Sequence, residues 1–138
     1  MRLWRAMDRF GYTGQWSCWS ECREDAEAYL DNPGYGGDTL HVAEVDLTDA
    51  RILDLTEGNE FLRLASALYD DEDERFEAIQ RWSGQGLGYA YEVWENNREA
   101  ARLLAERYDW VVYVDDYPDG AITWCYLGTE PLAAEEVS

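Results

Sequence analysis

The segment "WVVYVDDYPDGAITWCYLG", residues 110–128, constrains the fold more than any other part of the chain. Two apolar, aromatic-rich runs lie on either side of a short acidic turn that contains Pro118 and Gly120. Proline and glycine between two such runs indicate a turn that joins neighbouring strands. We therefore expect the last two strands of the fold here, and residues 111–114 suit a strand that is buried on both faces.

Two adjacent carboxylates, Asp115 and Asp116, end the first of these strands. Successive strand residues point to opposite faces, so only one of the two side chains can point inward. One interpretation is that both acids simply open the turn "DDYPDG". The other is that one of them is held at the edge of the sheet for chemistry.

The composition favours one domain over residues 1–138, because 46% of the residues are hydrophobic and a chain of this length supports one core. Eleven basic against thirty acidic residues give a net charge of −19. That charge repels nucleic-acid phosphates, so we expect no direct nucleic-acid partner. It either attracts a basic protein partner or serves solubility alone.

All eleven basic residues are arginines, which excludes lysine Schiff-base chemistry. The spacing of three cysteines and the single histidine fits no usual zinc site, so we expect no metal. The cysteines are expected to be buried or free thiols in a reducing cytoplasm. We also expect no membrane association, because no apolar run approaches the length of a span, and "MRLWRAMDRF" lacks a signal-peptide core.

The pattern along the chain predicts an α+β fold with a mostly antiparallel sheet. Ser20 is typical of a helix N-cap before "ECREDAEAYL", and the breakers "DNPGYGG" end that helix. The acidic run 70–74 is a solvated break or a helix start. Strands are predicted at 2–7, at the end of 12–20, and at 39–47, 50–55, 110–115 and 121–127. Helices are predicted at 21–30, 59–69, 75–82 and 91–108, with a glycine-rich loop at 83–90 and a tail at 128–138.

Two common catalytic patterns are rejected. The stretch "GQGLG" follows a helix and lacks the spacing of a dinucleotide-binding loop, so a flexible loop is the better interpretation. A serine–histidine–aspartate triad would need His41, which lies in an alternating strand, and the chain has no GxSxG elbow.

Several short motifs taken together resemble the ADP-ribosyltransferase fold in its small bacterial and phage forms, the anti-CRISPR ADP-ribosyltransferases above all. They cover most of the chain, although each is short. The motifs are "LWRAM", "WSCWSECREDAEAYL", "VAEVDLTDARILDL", "ERYDWVVYVDD" and "DDYPDGAITWCYLG". The resemblance implies a split, mostly antiparallel sheet with flanking helices, whose halves carry "RLWRAM" and "WVVYVD" near a common cleft.

The resemblance also implies an activity, a mono-ADP-ribosyltransferase that uses NAD to modify a host protein, such as a CRISPR effector subunit, in the host cytoplasm. Asp115 or Asp116 would be the catalytic carboxylate, and an ungapped comparison counted from Tyr108 favours Asp115. Arg5 would hold a phosphate or a ribose of NAD, with Arg2 and Arg9 as further cations. Ser20 would orient the ribose, and an aromatic ring would stack on nicotinamide. The candidate rings are Trp16, Trp19 and Tyr29.

The sequence departs from the family pattern in two places. Arg5 followed by Ala6 stands where the anti-CRISPR enzymes have His and Gly. No glutamate stands on the last strand, where other branches carry one, so the acid would come from the end of the preceding strand. A function of another class stays open: a non-enzymatic acidic decoy that mimics nucleic-acid charge and blocks a basic protein. The charge of −19 and the run "DDEDE" favour it.

Overall fold

The computed structural model describes residues 1–7, 11–30 and 37–137. Its strands are β1 (Arg2–Met7), β2 (Cys18–Ser20), β3 (Thr39–Glu44), β4 (Ile52–Asp54), β5 (Trp110–Val114), β6 (Ile122–Tyr126) and β7 (Glu135–Glu136). Its helices are α1 (Arg23–Leu30), α2 (Glu60–Leu68), α3 (Glu72–Gly84), α4 (Tyr91–Asn96) and α5 (Arg98–Arg107). The predicted α+β class is confirmed.

The strands of the described residues form one seven-stranded sheet in the order β4-β5-β6-β2-β1-β3-β7. Only β4 and β5 pair in parallel, so the sheet is mostly antiparallel, as predicted. The two halves join between β1 and β2 through a single pair, Trp4 and Ser20. The sheet is therefore continuous, but it is narrowest between the half that carries β1 and the half that carries β5.

The two faces of the sheet carry separate apolar clusters. On one face, Val111, Tyr113 and Cys125 pack with buried residues of the helices α2 to α5. On the other face, Trp110 and Val112 pack with a second cluster whose members are Leu3, Met7, Trp19, Ala43, Val45 and Trp124. β5 contributes to both clusters, because its alternate side chains point to opposite faces. This confirms the prediction of a strand buried on both faces for residues 111–113, whereas Val114 is only partly buried.

The prediction that Ser20 caps α1 is wrong. Ser20 is the last residue of β2, and α1 begins only at Arg23. The Cys22 carbonyl accepts the first turn's hydrogen bond from Ala26 N at 3.3 Å. Ser20 belongs to the strand rather than to the helix start, because it pairs with Thr123 between β2 and β6 and is buried there. The breakers at 31–36, and Arg9, lie outside the described residues.

The predicted long helix at 91–108 is instead two helices, α4 and α5. Asn97 separates them with an extended backbone (φ −137°, ψ 106°), and its side-chain oxygen accepts hydrogen bonds from Glu99 N and Ala100 N. Asparagine favours such N-cap positions because its side chain satisfies free amides of the first turn.

The acidic run 70–74 is a helix start, one of its two predicted interpretations, because α3 begins at Glu72 rather than at residue 75. The tail, for which no strand was predicted, contains β7.

Candidate active site

A cleft opens where β1 and β2 stop pairing. If the antiparallel register of Trp4 with Ser20 continued, Cys18 would lie opposite Ala6. Instead, the Cys18 carbonyl oxygen accepts a hydrogen bond from Arg5 Nη1 at 2.9 Å. A side chain thus replaces the backbone ladder, and the space between the strands becomes a cavity.

This cleft has a volume of about 110 Å³ and is lined by β1, β2, α1 and Thr123 of β6. Sites for drug-sized ligands usually measure about 300–1,000 Å³. The cleft therefore has room for only part of a ligand of that size.

Arg5 is the cation of the cleft. Its Nε is buried and has no hydrogen-bond partner, while Nη1 is engaged with the Cys18 carbonyl. Across the described residues, no carboxylate lies within ion-pair distance of Arg5. A guanidinium with unused donors, in a protein of net charge −19, is suited to bind an anion or a ribose hydroxyl.

Two hydroxyl side chains, Ser20 and Thr123, lie opposite each other across β2 and β6 and both line the cleft. Thr123 Oγ1 donates to Asp115 Oδ2 at 3.3 Å. The Ser20 hydroxyl has no hydrogen-bond partner within the part of the chain that the structure describes. Ser20 is thus free to bind a ligand group, and Thr123 connects the cleft to the acidic turn.

Asp115 and Asp116 occupy different environments, as strand alternation requires: Asp115 is half-buried and Asp116 is exposed. Asp115 Oδ1 accepts hydrogen bonds from Asp116 N at 2.8 Å and Tyr117 N at 3.5 Å. This oxygen supports the turn, as the simpler interpretation of the sequence proposed. The other oxygen, Oδ2, is directed to Thr123 at the cleft, so one carboxylate serves both the turn and the cleft.

The two carboxyl groups differ in acidity. Burial, together with the neighbouring Asp116 carboxyl, raises the pKa of Asp115 to about 6. A hydrogen bond from the Asp115 carboxyl lowers the pKa of Asp116, and the Tyr91 hydroxyl lowers it further. The pair therefore holds one proton below about pH 6, and that proton resides on Asp115.

Tyr29 joins α1 to the acidic turn. Its hydroxyl donates to the Tyr117 carbonyl, and the Tyr117 hydroxyl donates back to Ala28 O at 3.1 Å. The two rings meet edge to face, with centroids 5.2 Å apart. Burial and the charge of Asp115 raise the pKa of the Tyr29 hydroxyl. Tyr29 lines the cleft and also fixes the turn that carries Asp115.

The two candidate tryptophans are placed differently. Trp19 contributes to the cleft lining, but its indole is 1% exposed, and Nε1 donates to Ser17 Oγ at 2.9 Å within the second apolar cluster. It offers no free ring face to a ligand. Trp16 has a left-handed backbone (φ 72°) and packs against the helical cluster, and it does not line the cleft.

The structure thus brings together Arg5, Ser20 and Tyr29, and connects them through Thr123 to Asp115. Sequence reasoning overlooked Thr123 and Cys18 as cleft residues. The sequence does contain a signal for Thr123, because this residue is polar but lies within the apolar run "ITWCY". A hydroxyl buried in a strand needs a polar partner and so indicates a polar site nearby. No comparable signal marks Cys18, because a buried cysteine is common in a core.

Among the described residues, no group of three or more His, Cys, Asp and Glu side chains is arranged to hold a metal ion. None of the helices in these residues is long and apolar enough to cross a membrane. Comparisons with protein-family models, with curated proteins and with solved structures found no match to this chain.

Proposed function

We propose that this protein is a mono-ADP-ribosyltransferase, which transfers ADP-ribose from NAD to a protein target. The observation that carries the proposal is that Arg5 lines the cleft, while Asp115 lies directly behind it and bonds the cleft residue Thr123. Arg5 lies in the wall of the cleft at the β1–β2 junction, and Asp115 is connected to the cleft through the hydrogen bond from Thr123. A cation with unused donors and a carboxylate beside one small cavity suit a ligand that carries both phosphates and a ribose.

The cleft residues fit one end of NAD. The buried, unpartnered Nε of Arg5 marks a donor that a phosphate or ribose oxygen would satisfy. Ser20 would donate to or accept from a ribose hydroxyl. Tyr29 would contact the nicotinamide ring through the part of its own ring that lines the cleft. At about 110 Å³, the cavity takes the reacting end, and the adenosine would lie outside it.

Cleavage of the bond between nicotinamide and ribose develops positive charge on the ribose, as in glycoside hydrolysis. Asp115, ionised above about pH 6, would stabilise that charge through Oδ2. Thr123 would keep Oδ2 directed at the cleft. Oδ1 would stay bound to the backbone of the turn, so the carboxylate would not reorient during the reaction.

The partner that we propose is a host protein, such as a CRISPR effector subunit, which would be modified in the host cytoplasm. This part rests on the motif resemblance. The charge of −19 supports it in one respect, because such a field attracts a target with a basic surface.

A second function, the acidic decoy, is supported by the exposed run Asp70–Glu74, which ends in the first turn of α3. A decoy would bind its basic partner without NAD. Its binding would depend on many carboxylates together, so the loss of any one acid would change it little.

The test is incubation of the protein with labelled NAD and a host lysate, followed by electrophoresis. The transferase proposal predicts a labelled band that is absent when Asp115→Asn is used. Asn retains an oxygen for the turn amides but removes the charge. A lysate protein that is captured equally by wild type and by Asp115→Asn, without NAD and without label, would favour the decoy.

A further inference from the structure

Two of the three cysteines are direct neighbours across the sheet. Cys18 of β2 lies opposite Cys125 of β6 in the antiparallel ladder. Backbone hydrogen bonds join Tyr126 N to Ser17 O at 2.9 Å and Glu21 N to Ile122 O at 3.5 Å. Hydrogen-bonded pairs alternate with non-hydrogen-bonded pairs along such a ladder, so Cys18 and Cys125 form a non-hydrogen-bonded pair.

This position suits a covalent bond between the two sulfurs. In non-hydrogen-bonded pairs the Cα atoms are about 4.5 Å apart and the side chains approach most closely. Disulfides span Cα separations of about 4.4–6.8 Å, so the backbone of β2 and β6 would move little. Both thiols are free.

The surroundings make the two sulfurs unequal. A hydrogen bond from the Cys125 thiol lowers the pKa of Cys18, and so do the Tyr113 hydroxyl, 3.7 Å from Cys18 Sγ, and the charge of Arg5. Burial and the nearby Asp115 act in the opposite direction on Cys18 but are outweighed. The Cys18 thiolate and burial raise the pKa of Cys125. Cys18 is therefore the nucleophile, and Cys125 keeps its proton.

Access to this pair is selective. Cys18 lines the cleft, whereas Cys125 is only 1% exposed. A cavity of about 110 Å³ admits a small oxidant but excludes the disulfide of another protein. Cys22, in contrast, is exposed, and a hydrogen bond with Glu24 raises its pKa.

We propose that Cys18 and Cys125 are a redox modification site that reacts with hydrogen peroxide to form a disulfide between β2 and β6. The sulfur of Cys18 attacks a peroxide oxygen and the O–O bond breaks. The leaving hydroxide takes the Cys18 proton as water, and Cys18 becomes a sulfenic acid. The sulfur of Cys125 then attacks that of Cys18, the S–O bond breaks, and hydroxide leaves with the Cys125 proton as a second water. Two electrons pass from the thiols to the peroxide.

The experiment treats the folded protein with hydrogen peroxide, blocks the remaining thiols with iodoacetamide and measures the intact mass. We expect a loss of two hydrogens and a single alkylated cysteine, Cys22. Trypsin releases Cys18 and Cys22 in one peptide, residues 10–23, so the linkage is assigned in Cys22→Ser. There, residues 10–23 should be joined to residues 108–138 until a reductant is added.

The single-cysteine variants separate the two steps. Cys125→Ser should stop at a sulfenic acid on Cys18, trapped by dimedone, while in Cys18→Ser the buried Cys125 should stay reduced. We expect Cys18 to react at least about tenfold faster than Cys22, because the thiolate is the reacting form. Preferential oxidation of Cys22, or a Cys18–Cys125 bond that forms only after denaturation, would overturn the proposal. Cys22→Ser keeps the test decisive if the other variants fail to fold, because its intact mass alone reports the disulfide.

Discussion

Arg5 Nη1 donates to the Cys18 carbonyl oxygen at 2.9 Å, just beyond the one residue pair that joins β1 to β2. An arginine side chain therefore completes the hydrogen bonding of a strand whose backbone partner has moved away. The same residue supplies the positive charge of the cleft. Its structural role and its proposed binding role can be separated by experiment.

Arg5→Ala should lower the free energy of unfolding by about 1.5–3 kcal/mol, because the Cys18 carbonyl loses a charged donor. Arg2→Ala is the matched control on the same strand. Its exposed pair with Glu44, at 3.2 Å, should change stability by no more than about 0.5 kcal/mol. Urea unfolding of the three proteins measures both. Equal effects of the two substitutions would show that the Arg5 hydrogen bond does not hold the sheet halves together.

Ser20→Ala should leave the melting temperature nearly unchanged without ligand, because the hydroxyl that it removes has no hydrogen-bond partner in the described chain. It should, however, reduce the rise in melting temperature that the transferase proposal predicts for the wild type in millimolar NAD. A ligand that binds only the folded state stabilises it according to its excess over Kd. A normal NAD-induced rise in Ser20→Ala would remove Ser20 from the binding site.

Asn97→Ala should cost about 1 kcal/mol of stability, because Glu99 N and Ala100 N lose their shared acceptor at the start of α5. Asn96→Ala, one residue earlier, is the control. Among the described residues, the Asn96 side chain bonds only the Glu92 carbonyl, at 2.8 Å on the exposed end of α4. Its loss should cost less than about 0.5 kcal/mol. If Asn96→Ala lowered the free energy of unfolding more than Asn97→Ala, Asn97 would not be the residue that starts α5.

The raised pKa of Asp115 predicts a pH-dependent difference between wild type and Asp115→Asn. In the folded state this pKa is about 6, against an ordinary value of 3.8. Between these two values the folded wild type binds more protons than the unfolded chain, so its stability falls as pH rises. Asp115→Asn lacks this loss of stability. The lowered pKa of Asp116 affects stability only below its ordinary value of 3.8, which is outside this pH range.

Wild type should therefore lose stability relative to Asp115→Asn from about pH 4 to pH 6, and the difference should level off above that. Urea unfolding of both proteins at several pH values measures it. A difference that is constant with pH would mean that Asp115 titrates as it does in an unfolded chain.

The strands were predictable because their signals are local. The alternation in β3, the double burial of β5 and the turn at Pro118 and Gly120 each follow from a few neighbouring residues. Helix boundaries were less predictable, because Ser20 and Asn97 both suit an N-cap but only Asn97 is free to act as one. Ser20 lies opposite Thr123 in the sheet, a long-range pairing that no local pattern contains.

The candidate site was predictable only in part, for a related reason. Arg5, Asp115 and Tyr29 come together through strand pairing and through the contact of α1 with the turn. The side-chain directions of the tryptophans follow from strand register: Trp19 lies opposite Trp124, and both rings join the second apolar cluster. The narrow β1–β2 junction, which creates the cleft, depends on where pairing stops rather than on any one residue type.

In the proposed reaction, Asp115 provides the charge for ADP-ribosyl transfer and Asp116 does not. The direct measurement is the rate of label transfer from NAD to protein for wild type, Asp115→Asn and Asp116→Asn, with the melting temperature of each as a check on folding. The half-buried Asp115 bonds Thr123, which lines the cleft, and Asp116 is exposed. Asp115→Asn should therefore lose about 10²-fold or more in rate, while Asp116→Asn keeps most of its activity. If only Asp116→Asn lost activity, the reactive carboxylate would be Asp116 rather than Asp115. Transfer at the wild-type rate by both folded variants, or no transfer by the wild type, would contradict the account.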